Sequence, residues 1–194
     1  MLKIDKGQPW VMWPDNLVSN FIENPANKIF DHDGDFNFTM KFELPEPIKE
    51  KKTLIAKLPS YFGLDIVPDG CLLIYRYKSA IETFHLYEEC TWDVNIIYTL
   101  VIEKIGNKLT IKIDDKVSFE LDLVFRLGHD DNSHIIFGAG NFPKNGFNLN
   151  YLPVNLHHLS ITKDNELISE HNFETFIHDK SFDLTDNCNF IHKI

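Results

Sequence analysis

The chain has 194 residues, of which 43% are hydrophobic and 13% aromatic, including sixteen phenylalanines. This excludes a disordered chain and suits one domain, because all-β sandwiches reach about 200 residues before they split. The formal charge of −10, with no strong basic cluster, excludes nucleic acid as a partner, since binding it requires grouped Lys and Arg.

Residues 1–30 are expected to form an irregular segment that packs on or extends the domain. Three prolines interrupt an aromatic-rich stretch around Trp10 and Trp13, and only residues 16–22 could form a helical turn. The N-terminus lacks the apolar run of a secretory signal, so either the protein stays in the cell or a leader was removed. No stretch approaches the about 18 apolar residues of a membrane span. We therefore expect a soluble protein, cytoplasmic by default.

From Phe36 the pattern changes to a period of two residues. Large apolar side chains at every second position of Phe36–Phe42 predict a strand with one buried face. Asp69 and Gly70 supply the turn between two further strands, since Asp-Gly tolerates the positive φ of a tight hairpin. The other strands are predicted at Thr53–Leu58, Phe62–Val67, Cys71–Tyr77, Glu82–Tyr87, Ile97–Lys104, Lys108–Ile113, Val117–Leu123, Ser133–Gly138, Val154–Thr162, Glu166–Ser169, Ser181–Leu184 and Phe190–His192.

These short strands predict an all-β fold: a two-sheet antiparallel β-sandwich of the jelly-roll type, formed as a single domain over residues 1–194. Three consecutive strands joined by short turns between Ile97 and Leu123 favour antiparallel pairing over βαβ units. The three cysteines are too far apart for a Cys-x-x-Cys metal site, and their odd number cannot form a closed disulfide set. Reduced thiols are expected.

Three segments carry a resemblance to a known superfamily. One is the hairpin formed by Phe62–Gly70 with Leu72–Tyr77. The strand Phe36–Phe42 follows an Asp/Gly-rich approach, and Trp92–Lys116 reads as a Trp-containing turn, a buried strand, a Gly turn and a strand ending in a reversal. The stretch from Phe36 to Thr162 thus resembles the laminin-G-like branch of the concanavalin A-like lectin and glucanase superfamily. Asp114-Asp115 departs from the Asp-Gly usual at that reversal. The resemblance implies a lectin-like function.

Hydrolysis is disfavoured by a missing motif. Retaining glucanases of that superfamily carry Glu-x-Asp-x-x-Glu on one strand, which sets two carboxylates about 5 Å apart. This sequence has no such triplet, and its nearest acidic cluster, Glu88, Glu89 and Asp93, is typical of a solvated loop. The absence favours a binding module over an enzyme, with a degenerate glycan hydrolase or lyase as the least favoured alternative.

Two groups of residues raise a metal hypothesis. Asp31, Asp33 and Asp35 alternate along the chain and could converge on Ca²⁺, although Phe42 stands where an EF-hand requires Glu. The alternative is a turn whose carboxylates cap the following strand. His157 and His158 are adjacent, so without a β-bulge they face opposite sides of a strand; one is expected inside and the other in solvent.

A carbohydrate site is the leading hypothesis. Sugar rings stack their apolar face on aromatic side chains, while their hydroxyls bond to amides and carboxylates. The candidates are Tyr75, Arg76, His85, Tyr87, Trp92, Asp93, Asn145 and Asn148. We predict a non-catalytic module that binds a carbohydrate or glycoconjugate on the concave sheet face and rim loops. The alternative is a structural or protein-interaction sandwich that forms a homo-oligomer or a larger assembly.

Overall fold

Strands alone make up the regular structure of the described chain. The structure is a computed structural model, and it describes residues 2–4, 10–14, 35–56, 62–76, 83–122, 135–137, 152–173 and 189–193. These ranges hold fourteen strands and no α-helix. The strands are β1 (Leu2–Ile4), β2 (Trp10–Pro14), β3 (Phe36–Glu43), β4 (Lys52–Ala56), β5 (Phe62–Val67), β6 (Gly70–Arg76), β7 (Thr83–Glu89), β8 (Ile97–Ile105), β9 (Lys108–Ile113), β10 (Val117–Asp122), β11 (Ile135–Phe137), β12 (Val154–Lys163), β13 (Glu166–Asn172) and β14 (Asn189–Lys193).

The strands form two sheets. Sheet A has the order β1-β12-β3-β8-β9-β10, and β13 pairs with β12 beyond the end of β1. Sheet B has the order β14-β2-β11-β4-β5-β6-β7. Every recorded pairing in both sheets is antiparallel. The predicted all-β, two-sheet antiparallel sandwich is confirmed.

Alternation along the strands places the core between the two sheets. In β3 the even-numbered residues Phe36–Phe42 are buried and the intervening ones are not, as the period of two predicts. They lie opposite the buried residues of β8, which include Tyr98 and Leu100. From sheet B, Leu64 and Leu73 enter the same apolar cluster. One hydrophobic core therefore joins both sheets.

The two described cysteines are unpaired thiols, as expected. Cys71 is buried and Cys90 is partly exposed. Burial raises the pKa of the Cys71 thiol far above its ordinary value, because a thiolate would lose its hydration there. Cys188 lies outside the described residues.

The turns after β8, β9 and β12 follow the sequence signals, but the β5–β6 turn differs from the Asp-Gly prediction. Pro68 and Asp69 form it, and Gly70 pairs with Val67 in the ladder without a positive φ. Gly106, Asp164 and Asn165 all have positive φ in the predicted reversals. Asp114 also has a φ of 46°, and its carboxylate accepts a hydrogen bond of 3.0 Å from the Thr99 amide. Aspartate is one of the few residues besides glycine that adopt this conformation. The departure from Asp-Gly falls at Asp115, which has no positive φ and therefore does not require glycine.

The N-terminal segment differs from the expected irregular conformation. Leu2–Ile4 pairs with β12, and Trp10–Pro14 pairs with both β11 and β14. Proline is tolerated at the end of β2 because no central ladder bond is required of it there. The possible helical turn at 16–22 and the strand predicted at Ser181–Leu184 lie outside the described residues. None of the described elements is an apolar helix long enough to cross a bilayer.

Candidate functional site

The turn between β5 and β6 lies at one rim of the sandwich and is held by the end of β7. The carbonyl of Asp69 accepts the Cys90 amide at 3.1 Å and the Tyr87 hydroxyl at 2.8 Å. The carbonyl of Gly70 accepts the Trp92 indole N–H at 2.8 Å. We call the surface formed by Asp69, Gly70, Tyr87, Trp92 and Asp93 the rim site.

Tyr87 presents an aromatic surface to solvent at the rim site. The residue is 50% exposed although its hydroxyl is fixed on the turn. A Cβ added to Gly70 would lie 2.7 Å from the Tyr87 ring, so the ring packs directly against the glycine. The bare backbone of Gly70 thus supports the ring while much of it stays exposed. This gives a flat apolar surface with little freedom to move.

The Tyr87 hydroxyl remains a hydrogen-bond donor at neutral pH. The pKa of this phenol is raised, first by desolvation and then by the charges of Asp69 and Glu89. All of these causes disfavour the phenolate. The bond to the Asp69 carbonyl therefore persists under ordinary conditions and keeps the ring in place.

Trp92 closes the end of the core beside this surface. Its ring meets Tyr98 edge to face, with centroids 5.3 Å apart and an interplanar angle of 84°. Tyr98 is fully buried, and its hydroxyl accepts the Asp93 amide at 2.7 Å. Trp92 is therefore anchored through both its ring and its N–H, and only part of it faces solvent.

One lysine balances part of the negative charge at the rim. The Lys116 ammonium donates to the Thr91 carbonyl at 2.9 Å and lies 3.6 Å from the Asp93 carboxylate. It also sits 5.8 Å from the centroid of the Tyr98 ring. The Asp93 side chain is 66% exposed, so its carboxylate stays accessible to a ligand and the ion pair contributes little stability. Sequence reasoning missed Lys116, because the pairing of β8 with β9 is what sets the β9–β10 turn beside the start of β8 and the rim.

The structure brings some of the predicted site residues together and separates others. Tyr87, Trp92 and Asp93 share the rim site, and the exposed His85 lies two residues along β7 on the face of Tyr87. Tyr75 and Arg76 lie at the other end of β6, about 17–20 Å from Gly70 at the usual rise per residue.

Two further predicted site residues, Asn145 and Asn148, lie outside the described residues. Their place in a carbohydrate site stays a prediction.

Asp35 connects two turns at the opposite end of sheet A. Its carboxylate accepts the Gly106 amide at 2.7 Å, and its own amide donates to the Asp164 carboxylate at 3.0 Å. Asp164 returns a backbone bond of 2.8 Å to the Asp35 carbonyl. Asp31 and Asp33 lie outside the described residues, and within those described no group of three His, Cys, Asp or Glu is arranged to hold a metal. Calcium binding stays a prediction.

The expectation for His157 and His158 was wrong. A bulge between Leu156 and His158 breaks the alternation, so neither histidine enters the core. His157 Nε2 lies 3.2 Å from Glu43, and His158 Nε2 lies 3.2 Å from Glu170, with side chains that are 12% and 24% exposed. Both histidines therefore contact carboxylates on the outer face of sheet A. No residue signal in the sequence marks this bulge.

Replacing Gly70 with alanine tests the support beneath Tyr87. The new Cβ would lie 2.4 Å from the Glu88 carbonyl oxygen, which cannot move without shifting β7. We expect the free energy of unfolding to fall by about 1–3 kcal/mol, the usual cost of overpacking. Gly63 is the matched control, because nothing lies within 4 Å of a Cβ added there. Gly63→Ala should raise the stability by about 0.5 kcal/mol. Equal denaturant midpoints for the two variants would contradict this account.

Comparison with known proteins identifies the fold. No known protein family and no curated protein matches the sequence. The crystal structure of HCR/D-Sa-GBL1/C is similar over 82% of this chain and 38% of its own length, with a TM-score of 0.53 and 13% identity. The binding domain of Paraclostridial Mosquitocidal Protein 1 matches over 69% of this chain and 34% of its own length, with a TM-score of 0.45 and 13% identity.

The chain thus spans little more than a third of each of these structures. At this identity the likeness to HCR/D-Sa-GBL1/C shows the β-sandwich fold alone.

Proposed function

We propose that this β-sandwich is a non-catalytic, lectin-like module that binds carbohydrate at the rim site. The observation that carries the proposal is the Tyr87 ring, which is held by Asp69 and Gly70 and is still half exposed. A sugar presents a C–H face that packs on such a ring. A fixed aromatic surface loses little entropy on binding, which favours a useful affinity from a shallow site.

The charges around the ring indicate which sugars fit. Asp69 and Glu89 are exposed near Tyr87, and Asp93 lies beside Trp92. Carboxylates accept hydrogen bonds from sugar hydroxyls, and charged acceptors make the stronger bonds. They also repel sialylated or sulfated glycans, as does the formal charge of −10. Neutral saccharides are therefore the expected ligands.

The finer assignment to the concanavalin A-like jelly rolls belongs to the same proposal. Its support is the order of features in Trp92–Lys116: a Trp-containing turn, the buried strand β8, the Gly106 turn and the reversal at Asp114. A lectin-like use of the sheet and its rim would agree with that assignment. His85, Tyr75 and Arg76 remain candidates along sheet B.

A glycan array followed by calorimetry tests the proposed function. We expect Tyr87→Ala to weaken binding of a neutral saccharide by about tenfold, which corresponds to about 1.4 kcal/mol of lost stacking. Tyr87→Phe keeps the ring and should retain most of the affinity. Repeating the titration with EDTA tests the calcium hypothesis for Asp31, Asp33 and Asp35. No binding across broad sugar classes, or equal affinity of the alanine variant, would overturn the proposal.

A second candidate function is self-association, which one exposed loop favours. Val94, Ile96 and Ile97 are 38%, 50% and 49% exposed. The Asn95 amide donates to the Leu44 carbonyl at 3.0 Å, which fixes the loop against the sandwich. Exposed aliphatic groups that lie together in a fixed loop and at the start of β8 are typical of interaction surfaces. Light scattering at micromolar concentration separates the candidates, because a strict monomer weakens the assembly hypothesis.

A further inference from the structure

A small polar pocket lies at the end of sheet A opposite the rim site. It has a volume of about 270 Å³. It opens where β3 begins, where β8 ends and where β12 turns into β13. We call it the end pocket; its lining includes Asp35, Asn37, Glu103, Ile105, Asp164 and Asn165.

The walls of the end pocket are held together by Asp35. Its carboxylate binds the Gly106 amide of the β8–β9 turn, and its backbone forms two bonds with Asp164 of the β12–β13 turn. Two turns that are distant in sequence are therefore fixed to one residue. The pocket is formed before any ligand arrives, which lowers the cost of binding.

A short polar network forms part of the pocket lining. The Asn37 amide donates to Glu103 at 3.5 Å, and the Thr39 hydroxyl donates to the Asn37 carbonyl oxygen at 2.9 Å. These bonds orient Asn37 and occupy one oxygen of Glu103. The second oxygen of that carboxylate has no hydrogen bond to another described residue. The Asn165 side chain likewise has no hydrogen bond to another described residue. The Glu103 oxygen and the Asn165 amide can therefore both bond to a ligand.

The lining combines the groups that recognise a sugar ring. Carboxylate and amide oxygens from Asp35, Glu103 and Asn165 can accept several hydroxyl protons at once. Ile105 is 60% exposed at the wall and can pack against C–H groups. The volume lies below the about 300–1,000 Å³ of sites for drug-sized ligands, so a single ring is the appropriate size.

We propose that the end pocket is a second carbohydrate subsite that takes one neutral, hydroxyl-rich sugar unit. The inference rests on the proposed carbohydrate-binding function and extends it to a separate place. The lining holds three carboxylates, from Asp35, Glu103 and Asp164, and one ammonium, from Lys104, so its net negative charge disfavours acidic sugars. The nine residues of β8 run from beside the rim site to the pocket, so the two subsites are separated by about 26 Å.

Amide-resolved NMR titration of the full chain tests the second subsite. The probes are methyl β-galactoside, methyl α-glucoside and N-acetylglucosamine, with N-acetylneuraminic acid and putrescine as charged comparisons. We expect at least one neutral probe to shift the amides of Gly106 and Asn165 in a saturable way. N-acetylneuraminic acid should leave them unchanged.

The variant Asn165→Gly removes the side chain without straining the backbone, because residue 165 has a φ of 67°. Loss of its hydrogen bonds should weaken binding at the end pocket by about fivefold to tenfold. Asn95→Gly is the matched control, since Asn95 is exposed, has a φ of 58° and lies in neither site. It should leave the pocket affinity unchanged.

The outcomes separate this inference from the proposed function. Neutral sugars that shift only the amides around Gly70 would overturn the second subsite and leave the rim site standing. Sugars that shift only the amides around Gly106 would support the pocket and contradict the rim site. If putrescine alone shifts the pocket amides, or no probe does, the second subsite is overturned.

Discussion

Tyr98→Ala is expected to lower the free energy of unfolding by about 4 kcal/mol, within the usual range for deleting a large buried aromatic side chain. Tyr98 is fully buried and contacts Phe42 at a ring separation of 5.6 Å and Trp92 at 5.3 Å. Its removal would leave a cavity beneath the rim site and free the loop that begins at Trp92. Urea unfolding monitored by circular dichroism measures the loss.

Tyr98→Phe measures the contribution of the hydroxyl separately from that of the ring. It keeps the aromatic contacts but leaves the amide of Asp93 without the acceptor it now has at 2.7 Å. An unmade bond to a partly buried amide costs about 1–2 kcal/mol, so this variant should fall between the wild type and the alanine variant. An alanine variant no less stable than the phenylalanine variant would show that the aromatic cluster does not support the rim.

Asp65→Ala should cost about 3 kcal/mol of stability. Asp65 is 3% exposed, and it accepts the Thr53 hydroxyl at 2.7 Å and pairs with the Lys51 ammonium at 2.9 Å. Breaking a buried ion pair typically costs about 3–5 kcal/mol because one partner is left uncompensated. The low end applies here, since the Lys51 side chain is 42% exposed and can turn to water. Thr53 is buried, so its hydroxyl cannot turn to water when Asp65 is removed.

An exposed aspartate provides the comparison for this variant. Asp115 lies in the β9–β10 turn and is exposed, so Asp115→Ala should change the stability by less than about 0.5 kcal/mol. Asp65→Asn should recover part of the loss, since the amide oxygen can still accept the Thr53 hydroxyl. A thermal or urea midpoint for Asp65→Ala equal to that of Asp115→Ala would contradict the role assigned to Asp65.

The fold could be predicted largely from local patterns. The alternation in Phe36–Phe42 and the hairpin between β5 and β6 each depend on residues close in sequence, and both are confirmed. The position of the turn was wrong by one residue, because Pro68 and Asp69 form it and Gly70 pairs with Val67 without a positive φ. The strand at Leu2–Ile4 could not be predicted, because three residues carry too short an alternation. Its pairing partner, β12, lies at the other end of the chain.

The candidate site was predictable only in part, because it depends on register and irregularity. Tyr87 and Asp93 were named from their residue types, but their meeting with Gly70 requires the pairing of β6 with β7. Tyr75 and Arg76 were named for the same reason, and that register carries them away from the rim. The bulge between Leu156 and His158 places both His157 and His158 on the outer face of sheet A. Strict alternation puts them on opposite faces, so the sequence pattern alone cannot reveal this break.

The central claim is that a saccharide stacks on the Tyr87 ring at the rim. Saturation-transfer difference NMR with the neutral sugar that binds best measures this contact directly, by irradiating the aromatic protons and comparing the wild type with Tyr87→Ala. We predict strong transfer to the C–H protons of one sugar face, and its loss in the variant. Transfer that is unchanged without the Tyr87 ring would contradict the account.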